Sequence, residues 1–204
     1  MFNQTRNAQK QATGIAVLDA AREEFERAGF EGANLRAIAT RAGVSAGTVL
    51  HHFGDKRELL HAALFHDLDT TLEKLLGELG PGPLEAQLKK LTRGVFRYYQ
   101  RRPALSRALL KESLFADGVW AKRFSAQVGR SHAVVARLTA EAMERGELGA
   151  GINAPLFAAA YFSFFYFALI SWVQGAYANP APLVERLVTQ HLEGLRPAQG
   201  RKNR

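Results

Sequence analysis

Asn34-Leu35-Arg36-Ala37-Ile38-Ala39-Thr40-Arg41-Ala42-Gly43-Val44-Ser45-Ala46-Gly47-Thr48-Val49-Leu50-His51-His52-Phe53 holds two helical pieces too short to stand alone. Leu35–Ala42 and Ala46–His52 make roughly two turns each, and nucleating a helix costs more than so few hydrogen bonds return. They need tertiary support, which Ile38, Ala39, Val44, Val49 and Phe53 can take from a preceding helix. The small Ala39 and Ala42 let the second piece approach closely. Gly43 supplies the backbone freedom for a near-perpendicular corner, and Ser45 caps the helix after it. That is helix-turn-helix geometry, with Ala46, Gly47, Thr48, His51 and His52 on the face left free for a groove. A helical corner that binds nothing has the same turn. The small, polar outer face favours nucleic acid, and so does Lys56, whose charge and neighbouring helix-start N–H groups can clamp phosphate.

Helical spacing continues on both sides. Upstream, Ile15, Leu18, Ala21, Phe25 and Ala28 form one apolar stripe, ended by Gly29, with Phe30 folding back onto the last turn. Downstream, Asp55 and Glu58 predict a capping box ahead of a stripe through Leu60, Leu64, Leu68, Leu72, Leu75 and Leu79. Gly80-Pro81-Gly82-Pro83 breaks the chain. Helices are then predicted at Leu84–Arg101, Pro103–Leu114, from Gly118 to the glycines at 146–151, Ala154–Ala178 and Leu183–Leu195. The fold class is all-α, about nine helices, an N-terminal helix-turn-helix head joined to a larger C-terminal bundle. The expected domains are a DNA-binding head at 1–55 with its motif at about 34–53, a connecting helix at 56–80, a ligand-binding and dimerisation domain at 81–196, and a disordered tail at 197–204.

Composition narrows the function. Of 204 residues 47% are hydrophobic, enough to build a core and to exclude wholesale disorder. The absence of cysteine excludes disulfide scaffolds, thiolate zinc sites and cysteine nucleophiles, and fits a reducing cytoplasm. Gln11 to Leu18 is too polar and short for the apolar core of an export signal, so the expected location is cytoplasmic. The net charge is +8, yet residues 1–60 hold 8 basic and 7 acidic side chains, so the head contributes almost none of it. Such a head binds DNA by placing Arg36, Lys56 and an arm with Arg6 and Lys10, doubled in a dimer.

The run from Asn34 to Leu60, with Ala-Gly-Val-Ser, Gly-Thr, Phe53 and Lys56 in their spacing, resembles the TetR family of transcriptional regulators, and the likeness is dense over Ile15–Ala63. The resemblance implies that Ser45, Ala46, Gly47 and Thr48 open the recognition helix, that His51 and His52 lie further along it, and that Arg36 and Lys56 grip phosphate. Leu50 stands where the family usually has a tyrosine on the DNA backbone. Leucine donates no such hydrogen bond, though it can pack on a thymine methyl. The function implied is a ligand-responsive regulator, more often a repressor, that binds a roughly palindromic double-stranded operator as a homodimer and is released by a small molecule.

Ala154–Ala178 is apolar all round, so it must be buried in protein or lipid. A membrane span is possible by length. A dimer seam built from 154–178 and 183–195, with Ala160, Ala168, Ser171 and Gly175 allowing close approach, explains the burial better and makes no use of a membrane. For the unknown effector, expected to be apolar or aromatic, Phe96, Tyr99, Phe115, Trp120, Phe124, Tyr161 and Phe165 supply aromatic surface. Glu112, Gln127 and His132 could orient it. Lys89, Arg93, Arg97 and Arg101 form a stripe that reads as a solvated face or as an anion site. His51, His52, His61 and His66 lack His-x-x-x-His spacing, so no metal and no cofactor is expected. A small all-helical enzyme is the remaining alternative, but neither a Gly-x-Ser-x-Gly elbow nor a His-Glu-x-x-His helix occurs, and no catalytic residue is assigned.

Overall fold

The structure, a computed structural model, describes residues 2–197, with side chains from Arg6 onward. Among these residues it is all helix: α1 (Phe2–Gly32), α2 (Leu35–Arg41), α3 (Ala46–Phe53), α4 (Lys56–Gly77), α5 (Leu84–Arg101), α6 (Pro103–Leu114), α7 (Gly118–Glu144), α8 (Ala154–Val173) and α9 (Ala181–Leu195). The expected tail lies almost wholly outside the described residues. Two compact units form, one from residues up to Thr70 with Tyr99–Phe124, the other from Thr71–Tyr98 with residues from Ser125 on.

The first unit is built on α1. Its buried stripe is Val17, Ala20, Ala21 and Phe25, while Ile15, expected on that stripe, is 55% exposed. The apolar face begins two residues later than the spacing predicts. Gly29 takes φ 69°, a left-handed setting that a side chain would strain, and Phe30 stacks back on Phe25 at 6.2 Å. Buried Arg22 ties α1 to α4 by donating from Nε to the Ala63 carbonyl at 3.2 Å, while its Nη1 donates within α1 to Asp19 at 2.5 Å. Glu26 accepts from the Leu105 and Ala104 N–H groups at 2.8 and 3.4 Å, capping α6, whose own N-cap residue Arg102 makes no side-chain cap.

Glu24 is buried where α1 meets the start of α2. Its carboxylate accepts two hydrogen bonds from Arg27, at 2.8 and 3.1 Å, and a third from the Asn34 N–H at 3.3 Å. The Arg27 hydrogen bond holds it below the usual carboxylate range, against the opposing effect of burial.

In the second unit, α5 approaches the last turns of α4 so closely at Gly94 that a Cβ there would sit 2.4 Å from Leu75 Cδ2. Glu147 caps α5 by accepting from the Leu84 N–H at 2.8 Å. Asn153 caps α8 by accepting from Leu156 N at 2.9 Å. α8 ends at Val173 rather than near Ala178, because Gly175 turns the chain with φ 83°. By length and composition α8 could cross a membrane, a test that a core helix also passes. Its buried side is Phe157, Ala158, Tyr161, Phe165, Ala168, Leu169 and Ser171, so Ala168 and Ser171 face the protein's own core rather than a free seam. Leu156, Phe167 and Ile170 are 68, 58 and 38% exposed. Within this chain α8 is therefore buried on one side only.

Candidate functional sites

The α2–α3 corner is fixed by its caps. Asn34 Oδ1 accepts from Arg36 N at 2.8 Å, starting α2. Ser45 Oγ accepts from Thr48 N at 3.0 Å and lies 2.9 Å from Thr48 Oγ1, so the two hydroxyls form one capping pair at the start of α3. Between them Gly43 turns with φ 68°. Val49, 1% exposed, anchors α3 inward. Ser45, Gly47, Leu50 and His51 are exposed, and Ala46, Thr48 and His52 are half-buried. A Cβ on Gly47 would meet nothing closer than Ser45 Oγ at 3.6 Å, so the interior does not require glycine there. Its smallness leaves the outer face open.

The two proposed phosphate grips differ. Arg36 is exposed on α2. Lys56 Nζ donates to the carbonyls of Glu31 and Ala33 at 3.1 and 3.2 Å and sits 4.8 Å from the Phe30 ring centre. Two of its three ammonium hydrogens thus close the end of α1, which leaves one for a phosphate. The expected capping box is half made. Asp55 Oδ1 accepts from Glu58 N at 2.8 Å, but the Glu58 carboxylate instead accepts from Trp120 Nε1 at 2.7 Å. Asp55 also occupies part of the helix start that sequence offered to phosphate.

The ten effector candidates separate into different environments. Phe96 stacks on Phe165 at 4.5 Å, and Tyr161 is buried with its hydroxyl 2.9 Å from Thr92 Oγ1. Burial pushes that phenol well above its ordinary pKa. These three pack as core. Gln127 is buried, and His132 stacks on Phe162 at 4.1 Å, with burial lowering its pKa. In the other unit Tyr99 is buried and its carbonyl accepts from Ser106 Oγ at 2.8 Å, whereas Phe115 is 83% exposed. Glu112, Trp120 and Phe124 share a separate cluster, gathered round two residues of α4. His61 Nε2 lies 3.2 Å from Glu112 Oε2, and the His61 ring meets Trp120 and Phe124 at 5.4 and 6.1 Å. Phe65 packs on the same two rings at 6.0 and 5.8 Å. Sequence reasoning weighed His61 only as a metal ligand and passed over Phe65. The signal available was their four-residue spacing, one helix turn, on a face flanking the leucine stripe.

Two of the four residues of the basic stripe are paired. Lys89 bridges to Glu85 at 2.7 Å, and Arg93 makes a two-pronged bridge to Glu185 at 2.6 and 2.7 Å. A groove of about 450 Å³ beside it is lined by Leu75, Lys90, Gly94 and Arg97 among others. No group of three or more possible metal ligands occurs among the described residues.

Residues 17–63 match the family model for bacterial regulatory proteins of the tetR family. The chain is 33% identical over 137 residues to the HTH-type transcriptional repressor KstR of Rhodococcus jostii (strain RHA1), covering 67% of this chain and 62% of that protein's length. It is 28% identical over 151 residues to the HTH-type transcriptional regulator UidR of Escherichia coli (strain K12), covering 70% of this chain and 72% of the regulator. In fold it resembles the transcriptional regulator FadR of Bacillus subtilis, solved in complex with stearoyl-CoA, with a TM-score of 0.74, 16% identity, and 89% and 99% of the two chains covered. With the capped α2–α3 corner inside the matched stretch, the chain belongs to the tetR family of bacterial regulatory proteins.

Proposed function

We propose that this chain is a ligand-responsive transcriptional repressor of the cytoplasm that binds a roughly palindromic DNA operator as a homodimer. The observation that carries the reading is the capped corner, whose outward face of Ser45, Gly47, Thr48 and His51 is small and polar enough to enter a major groove. Exposed Arg36 and the arm bearing Arg6 and Lys10 are the phosphate contacts, with Lys56 contributing through its remaining donor. Residues 1–55 serve as the DNA-binding domain, 56–80 as the connecting helix and 81–196 as the ligand-binding and dimerisation domain. The outward apolar residues of α8, and a groove of about 400 Å³ lined by Phe164, Leu187, His191 and Leu195, support dimerisation through α8 and α9. A dimer would present two α3 helices to half-sites about 34 Å apart. A small apolar or aromatic effector releases the DNA if it binds one setting of α4 better than the other.

Selection from randomised duplex DNA tests this. The full chain should enrich a two-fold symmetric site, and Arg36→Ala with Thr48→Ala should abolish that enrichment with helix content retained. Absence of any enriched site, or an unchanged site in the double variant, would refute the assignment.

A further inference from the structure

His61 is 5% exposed on the second turn of α4, and its Nδ1 is sealed from solvent with no hydrogen-bond partner. Leaving such an atom unsatisfied costs about 1–3 kcal/mol, so its persistence needs a reason. The other ring nitrogen defines its chemistry. Nε2 faces the Glu112 carboxylate at 3.2 Å, with Arg57 Nε placing positive charge 3.9 Å from the same oxygen. A carboxylate only accepts, so Nε2 carries a proton, and in the Nε2–H tautomer Nδ1 is left with a lone pair. That lone pair needs a donor. The surrounding rings offer none, since the Trp120 N–H already goes to Glu58. A lone water would need roughly 2–4 polar partners, which Phe65, Phe124 and Trp120 do not supply. A hydroxyl carried on an apolar ring brings its donor to Nδ1 and its body to those aromatic faces. A carboxylate would instead meet the Nδ1 lone pair with the Glu112 charge behind it.

We infer that His61 Nδ1 is the polar anchor of the effector site, accepting a hydrogen bond from the hydroxyl of an apolar ring compound packed against Phe65, Trp120 and Phe124. The inference rests on the ligand-responsive reading above and deepens it by naming the effector's chemical class. His61 sits little more than one turn from Lys56, so an occupant bears on the segment of α4 that closes the end of α1.

The test is nitrogen-15 NMR on the full chain labelled at histidine and tryptophan, titrated with 2-naphthol and, separately, with 2-methoxynaphthalene, which keeps the ring and loses the donor. His61 should be the Nε2–H tautomer before titration. 2-Naphthol should bind about tenfold more tightly than the ether, moving the His61 Nδ1 and Trp120 indole resonances. In His61→Phe the two compounds should bind alike. A proton on Nδ1 in the free protein, equal binding of alcohol and ether, or no saturable binding of either would each overturn the inference, and none of the three needs a variant. These readouts involve no DNA, so a chain that failed to select an operator would defeat the regulatory reading while leaving them standing.

Discussion

α3 and α8 each turn one face to solvent, and the two faces are opposite in kind. α3 offers Ser45 at its cap, Gly47 and His51, with Leu50 as its one large apolar side chain at 43% exposure. α8 offers Leu156, Phe167 and Ile170. A DNA groove is hydrated and charged, so a helix entering it gains from small side chains and hydrogen-bonding tips. A face of large apolar groups instead gains by leaving water, at about 25 cal/mol per Å² buried. The helices are also held differently. The eight-residue α3 depends on Val49 and its caps, whereas seven buried side chains fasten α8. α3 is therefore short, lightly anchored and dependent on its neighbours, whereas α8 is long and fastened along a whole side.

The largest effect should come from removing the anchor of α3. Val49→Asp buries an unpaired charge and should destabilise the protein on the order of 4 kcal/mol, read as a lowered melting temperature. Native-like melting would mean that α3 does not depend on Val49. Next is the α8 face, where Phe167→Glu with Ile170→Glu should weaken self-association about a hundredfold or more in sedimentation, with helix content retained. An unshifted dimer would move the seam elsewhere. Lys56→Met then separates two roles for one residue. Loss of its two carbonyl hydrogen bonds should cost about 1–3 kcal/mol in urea unfolding. A purely phosphate-gripping lysine would leave stability alone and reduce the salt slope of DNA binding by about 1.

The smallest effect concerns Glu24. Its folded pKa is lowered by Arg27, so the stability it contributes is present above the ordinary value of 4.5 and is lost as pH falls through the lowered folded value. Melting temperature should drop over that acid window, less steeply in Glu24→Gln. Parallel curves for the two proteins would assign the acid sensitivity to other carboxylates.

Much of the head was legible because its signals are local. The caps at Asn34 and Ser45 act over two or three residues, and Gly43 needs only its own φ, so each follows from spacing alone. The capping box at Asp55 and Glu58 was half legible for the same reason. Asp55 serves its own helix, but Glu58 found a partner 62 residues away in Trp120. The aromatic candidates were the least legible. Phe96, Tyr161 and Phe165 look the same in sequence as Trp120 and Phe124, because composition does not distinguish a ring that fills a core from one beside an unsatisfied polar atom.

By itself the sequence determined the helices, their breaks and the helix-turn-helix corner, because those rest on interactions within one or two turns. Only the tertiary structure decided that Lys56 closes α1, that Ile15 faces outward, that Ala168 and Ser171 face inward, and that His61 meets Glu112. The physical reason is distance along the chain. A side chain's partner across 25 or 51 residues is set by how whole helices pack, and no local periodicity encodes that choice.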